Sequence, residues 1–186
     1  MSRREVFRLV NACLLLLCVS MYLGTGWSLI LFTFPIAPEL TVDNYYLQFV
    51  PQVQAATRFF TWMTGVMLVS AAVLWWGERR TAYKWYPAAV FGLVVVATLL
   101  TRFLIFPYND AMAAGITDPA ELSRVLAGWM RTNVIRVSLW TLQWLAMVGY
   151  FAHKLVRLER AAHAGSQPVA RDSRRGTRGP LVEART

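Results

Sequence analysis

Three arginines lie inside or at the edge of long apolar runs: Arg58, Arg102 and Arg136. An arginine does not shed its proton, so in an apolar medium it needs water, an anion or a carboxylate. Around Arg136, the residues Trp129, Asn133 and Trp140 follow at intervals of four, three and four, with Trp144 one turn further on. That spacing sets two indole rings, an amide and a cation on one side of a helix. Such a face has the chemistry to hold a planar or anionic small molecule, ring against ring and charge against charge. A plainer reading is equally physical. Arginines at a membrane boundary snorkel to lipid phosphate or pair with loop carboxylates, and Glu39, Asp43, Asp110 and Glu121 are the carboxylates on offer. Both readings stay open on the sequence alone.

Other chemistries have little to work with. The histidines are His153, at the end of an apolar run, and His163, in a polar tail. They give neither a pair for haem nor a transition-metal cluster. Cys13 and Cys18 are five residues apart in one apolar stretch and read as packing residues rather than a disulfide or a metal site. No phosphate-binding loop or nucleophile elbow occurs. The expectation is therefore no metal and no cofactor.

The elements that must position these residues are helices in a membrane. Hydrophobic residues make up 56% of the chain, more apolar surface than one soluble core of this size would bury. No charge occurs from Leu9 to Pro38, Phe59 to Gly77, Trp85 to Thr101 or Val137 to His153. A helix needs roughly 20 mostly apolar residues to cross the hydrocarbon layer. The pattern predicts an all-α transmembrane four-helix bundle, with helices over about 6–34, 53–76, 86–106 and 119–158. The first resembles a signal peptide at its start but continues too far for one, so it is expected to stay as a helix.

The net charge is +9, yet its placement argues against nucleic acid. Arg3, Arg4 and Arg8 precede helix 1; Arg79, Arg80 and Lys84 separate helices 2 and 3; Lys154, Arg157, Arg160 and a run of tail arginines follow helix 4. The segment 36–57 has no Lys or Arg, and 103–130 has only Arg124. The positive-inside rule then puts both termini in the cytoplasm. An even number of spans agrees. Arg58, Arg102 and Arg136 consequently fall near the outer membrane boundary.

Three stripes of small residues, Ser20–Gly24–Ser28, Thr57–Thr61–Gly65 and Ala88–Gly92, offer close backbone contacts inside the bundle, to a second copy or to a membrane partner subunit. The proline-rich segment after helix 1 is expected as an outer loop or short interfacial helix, with Tyr45, Tyr46 and Phe49 at the membrane–water boundary. Pro107 is expected to end helix 3. Asp118-Pro119-Ala120-Glu121 reads as a capping box that starts an amphipathic segment leading into helix 4, with a bend at Gly128. Residues 161–186 read as a disordered basic cytoplasmic tail that can lie on anionic lipid.

Phe106-Pro107-Tyr108-Asn109 closing helix 3, then Leu122, Trp129 and Arg136, resembles the pattern of a known family. It is similar to the small four-helix membrane proteins that include anthrone oxygenases, whose bacterial members are mostly a domain of unknown function. The resemblance covers about 21–150 and includes the glycine-bearing helix 1 ending at Pro35. It implies a bacterial inner-membrane protein. It also implies, as one option, a cofactor-independent monooxygenase acting on an aromatic polyketide-like substrate. In that option Arg102 and Arg136 steady an enolate-like anion and Asn109 donates a hydrogen bond. The chain departs from this in having no histidine near the outer face to act as a base, with Asp110 the nearest candidate. Asn109, Trp129 and Arg136 carry over as site candidates without an assigned catalytic role. Three functions remain: a binder of a small hydrophobic or planar ligand, the oxygenase, and a structural accessory subunit of a larger membrane complex.

Overall fold

The computed structural model describes residues 2–165. Helix α1 spans Arg3–Ser28 and opens on a capping box. The Ser2 hydroxyl accepts from the Glu5 N–H, and the Glu5 carboxylate accepts from the Ser2 N–H. It runs into a π-helical turn, Leu29–Thr33, just before Pro35. A short 3-10 turn, Ala37–Glu39, leads to α2, Tyr45–Glu78. After a second 3-10 turn, Ala82–Lys84, come α3 (Trp85–Leu100), a second π-helical turn (Thr101–Ile105) and α4 (Phe106–Ala114). Helix α5, Pro119–Gly165, completes the order.

Four stretches are long and apolar enough to cross a membrane: Arg3–Thr33, Tyr45–Glu78, Ala82–Ala114 and Pro119–Ala164. Their perimeter carries exposed Leu17, Phe32, Trp62, Val69 and Phe103, a surface suited to lipid rather than water. This is a multi-pass membrane protein built as an all-α four-helix bundle.

Several boundaries differ from the sequence expectation, each for a physical reason. Helix α2 begins at Tyr45, so the expected loop supplies its first two turns despite Pro51. The gain is burial: Tyr45, Phe49 and Val50 pack with Met112, Ile116, Leu122 and Trp129. Tyr45 is 1% exposed, and only Tyr46 of the expected boundary aromatics is well exposed. The Tyr45 hydroxyl donates to the Met112 carbonyl and accepts from the Ile116 N–H, fastening the turn between α4 and α5. That turn pivots on Gly115 at φ 91°, a backbone region that disfavours side chains.

Pro107 does not end the third span. It sits in the first turn of α4, where a missing N–H is harmless. The π-helical turn before it ends with the Phe106 N–H bonded to the Thr101 carbonyl. Widening the helix there relieves the clash a proline ring makes with the carbonyl four residues back. Pro35 follows the first π-helical turn in the same way, with the Phe34 N–H on the Leu29 carbonyl 3.0 Å away.

The Asp118 cap holds: its carboxylate accepts from the Ala120 N–H at 3.0 Å. Glu121 lies instead 3.8 Å from Arg124. Gly128, expected as a bend, lies within the unbroken helix α5 and gives room to Tyr108, whose hydroxyl would be 2.6 Å from an added Cβ. Helical structure extends through Gly165, so residues 161–165 continue α5 rather than the tail. The rest of the expected tail, 166–186, lies outside the described residues.

The glycines of the small-residue stripes do not meet neighbours inside the bundle. A Cβ at Gly24, Gly65 or Gly92 would touch nothing within 4 Å. The close approach of α1 to α5 occurs at Gly26, where an added Cβ would sit 2.8 Å from Trp140 and 2.9 Å from Val137.

Candidate functional site

The bundle has two ends. The proximal end holds the start of α1 and the turn between α2 and α3. The distal end holds the turns after α1 and after α4. Proximally, Leu15, Val19, Met67, Ala71, Leu74, Val90 and Met147 belong to one closely packed core. Towards the distal end the four spans part around a cavity of ≈ 520 Å³.

Arg102, Asn109, Trp129, Arg136 and Trp140, expected from sequence to form a site, all line this cavity. Both π-helical turns contribute too, through Leu29, Thr33, Thr101, Arg102, Phe103 and Ile105. The widened backbone that accommodates Pro35 and Pro107 therefore also shapes the cavity. Leu99 and Phe103, 51% and 67% exposed, belong to both the lining and the perimeter, so the cavity reaches the bundle surface there.

The Arg136 guanidinium lies 4.6 Å from the centroid of the Trp140 ring, a cation–π distance. Its Nε is buried with no hydrogen-bond partner among the described residues. No ion pair joins Arg58, Arg102 or Arg136 to any carboxylate among the described residues. Arg102 is exposed at the rim, 6.0 Å from the Phe106 ring. No Asp, Glu or His among the described residues lines the cavity, so it is cationic without an internal counter-charge.

Trp140 is fixed from two sides. Its ring meets Tyr22 edge-on at 4.7 Å and stacks with Phe60 at 6.3 Å. Trp129 is held by Phe49 at 4.8 Å and by its indole N–H, which donates to the Asn109 side-chain Oδ1 at 2.9 Å. Asn109 thus accepts a hydrogen bond from Trp129 and positions that ring.

Two of the expected residues stand apart. Asn133 is fully buried, and its amide N–H donates to the Trp129 carbonyl at 2.8 Å. Arg58 lines a smaller cavity of ≈ 350 Å³ with Asn109 and Asp110. The two cavities share Phe49, Val53, Thr57, Phe106 and Asn109, so this group forms the wall between them. Trp27 lies outside the lining and donates to the Thr141 hydroxyl at 3.2 Å.

Sequence reasoning passed over Tyr22, Phe60, Thr64, Thr98 and Gln143, all of which line the cavity. Gln143 had a legible signal, because it follows Arg136 by seven residues and so shares its helix face. Tyr22, Phe60, Thr64 and Thr98 had none, because their approach depends on how α1, α2 and α3 pack. No group of three His, Cys, Asp or Glu side chains among the described residues is placed to hold a metal ion. No family model, no curated protein and no solved structure matches this chain.

Proposed function

We propose that this membrane protein binds a small hydrophobic or planar ligand carrying negative charge, taken up near the outer membrane face. The observation that carries the reading is Arg136. It is a cation with no carboxylate partner among the described residues, held over Trp140 in the wall of a ≈ 520 Å³ cavity. A protein that needed this arginine only for lipid phosphate would place it on the perimeter, not among four helices. On this reading both termini are cytoplasmic, the membrane is the bacterial inner membrane, and the motif shared with anthrone-oxygenase-like proteins marks a binding wall. An oxygenase would further need a base, and Asp110 lies in the adjoining smaller cavity rather than this one.

The test is mass spectrometry of the detergent-purified protein, intact and after organic extraction. The expected result is a stoichiometric small molecule that is lost in Arg136→Leu while the variant still inserts and folds. A parent protein that carries no small molecule, or one retained by Arg136→Leu, overturns the reading.

A further inference from the structure

The cavity carries its arginine donors at the distal part, and hydroxyls with spent protons run from Thr61 and Thr101 beside them to the deeper Thr64 and Thr98. The Thr64 hydroxyl donates to the Phe60 carbonyl at 2.8 Å, and the Thr98 hydroxyl donates to the Val94 carbonyl at 2.8 Å. The Tyr22 hydroxyl donates to the Phe60 carbonyl at 2.8 Å and lies 2.6 Å from the Thr64 hydroxyl. Whichever way the Tyr22–Thr64 contact is protonated, both protons stay within the protein. What these hydroxyls have left for a ligand is lone pairs. Gln143 joins them. It is 1% exposed, and its Oε1 has no donor among the described residues. An unpaired amide carbonyl in a water-poor interior costs about 1–3 kcal/mol and calls for a partner.

We infer that the ligand carries a hydroxyl or N–H donor at its inner end, directed at Gln143, Thr64 and Thr98, opposite the anionic group bound by Arg136. This rests on the ligand-binding reading above. The spacing follows from the helix. Seven residues separate Arg136 from Gln143, about 10 Å along the axis, with Trp140 between them under the body of the ligand. A rigid two-ring aromatic carboxylate with its donor on the far ring has that length.

The probes are three naphthalene carboxylates bearing hydroxyl, methoxyl or hydrogen on the far ring. Calorimetric titration into the detergent-purified full chain measures their binding. The hydroxyl compound is expected to bind about tenfold tighter than the methoxyl compound, which offers only an acceptor. In Gln143→Leu, and separately in Thr98→Val, that ratio is expected to fall towards one, while Arg136→Leu weakens all three compounds. Equal or better binding of the methoxyl compound overturns the inference and leaves the binding site standing. An unchanged ratio in both Gln143→Leu and Thr98→Val also overturns it. Failure of all three compounds to bind, or binding indifferent to Arg136, overturns the binding reading and this inference with it.

Discussion

Polar groups occur at both ends of this bundle, and the two ends treat them differently. At the proximal end Glu78 is 4% exposed and its carboxylate is well supplied. Oε1 accepts from the Tyr150 hydroxyl at 2.9 Å and Oε2 from the Thr81 hydroxyl at 2.8 Å. Nearby, the Asn11 amide donates to the Ser70 carbonyl at 2.9 Å. Around the cavity, Arg136 and Gln143 on α5 each keep a buried polar atom without a partner among the described residues, and Asn133, on the same helix outside the lining, does too. The sequence could have supplied partners there as it does for Glu78. Saturated polar groups fasten helices, whereas unsaturated ones beside a cavity hold binding energy in reserve for something that arrives later.

The sharpest way to break this contrast is to remove one polar group from each end. Glu78→Leu removes the carboxylate that accepts from the buried Tyr150 hydroxyl and is expected to cost about 3 kcal/mol. Thermal unfolding in detergent measures it. Arg136→Leu, assayed without ligand, is expected to leave stability unchanged or raised, because an unpaired, partly desolvated charge is exchanged for an apolar side chain. If the two substitutions destabilise alike, Arg136 is a structural member of the fold and the contrast fails.

A somewhat smaller effect is expected where α1 meets the cavity wall. Gly26→Val drives side-chain atoms into Trp140 and Val137, where even a Cβ lies within 2.9 Å of each. Overpacking of this kind costs about 1–3 kcal/mol, and displacing Trp140 also removes the ring beneath Arg136. Gly24→Val serves as its partner, since its Cβ meets nothing within 4 Å. It is expected to change unfolding by less than about 0.5 kcal/mol. A large Gly24→Val effect in the purified protein would instead reveal a second copy on that stripe.

The difference between these two glycines shows what was legible in the sequence. Uncharged runs reported the four spans because solvation by lipid acts on every residue of a run. The Trp129–Arg136–Trp140 face was legible because one helix carries it. The small-residue repeat at Gly24 was regular but solvent- or lipid-facing, whereas the contact that matters at Gly26 has no repeat. Pro35 and Pro107 read as helix ends because a lone helix would stop there, and the first helix does end before Pro35. At Pro107 a π-helical turn absorbs the proline, and burial of Met112 with Tyr45 and Phe49 rewards the continued helix. The role of Glu78 was not legible, because its partner Tyr150 lies far along the chain on α5.

Of the hydrogen-bond deletions the smaller effect is expected at Tyr22, and it is informative for being small. Tyr22→Phe keeps the ring, and with it the contacts at 4.7 Å to Phe60 and 4.7 Å to Trp140. It deletes the hydroxyl bonded to the Phe60 carbonyl, but Thr64 still donates to that carbonyl at 2.8 Å. No buried acceptor is therefore abandoned, and the loss is expected near the roughly 0.6 kcal/mol average for hydrogen bonds between membrane helices. Thermal unfolding of Tyr22→Phe beside Glu78→Leu places the two hydroxyl arrangements on one scale. A Tyr22→Phe loss as large as that of Glu78→Leu would mean that the cavity wall is fastened as firmly as the proximal core, and the division of the bundle into a fastened end and a receptive end would have to be given up.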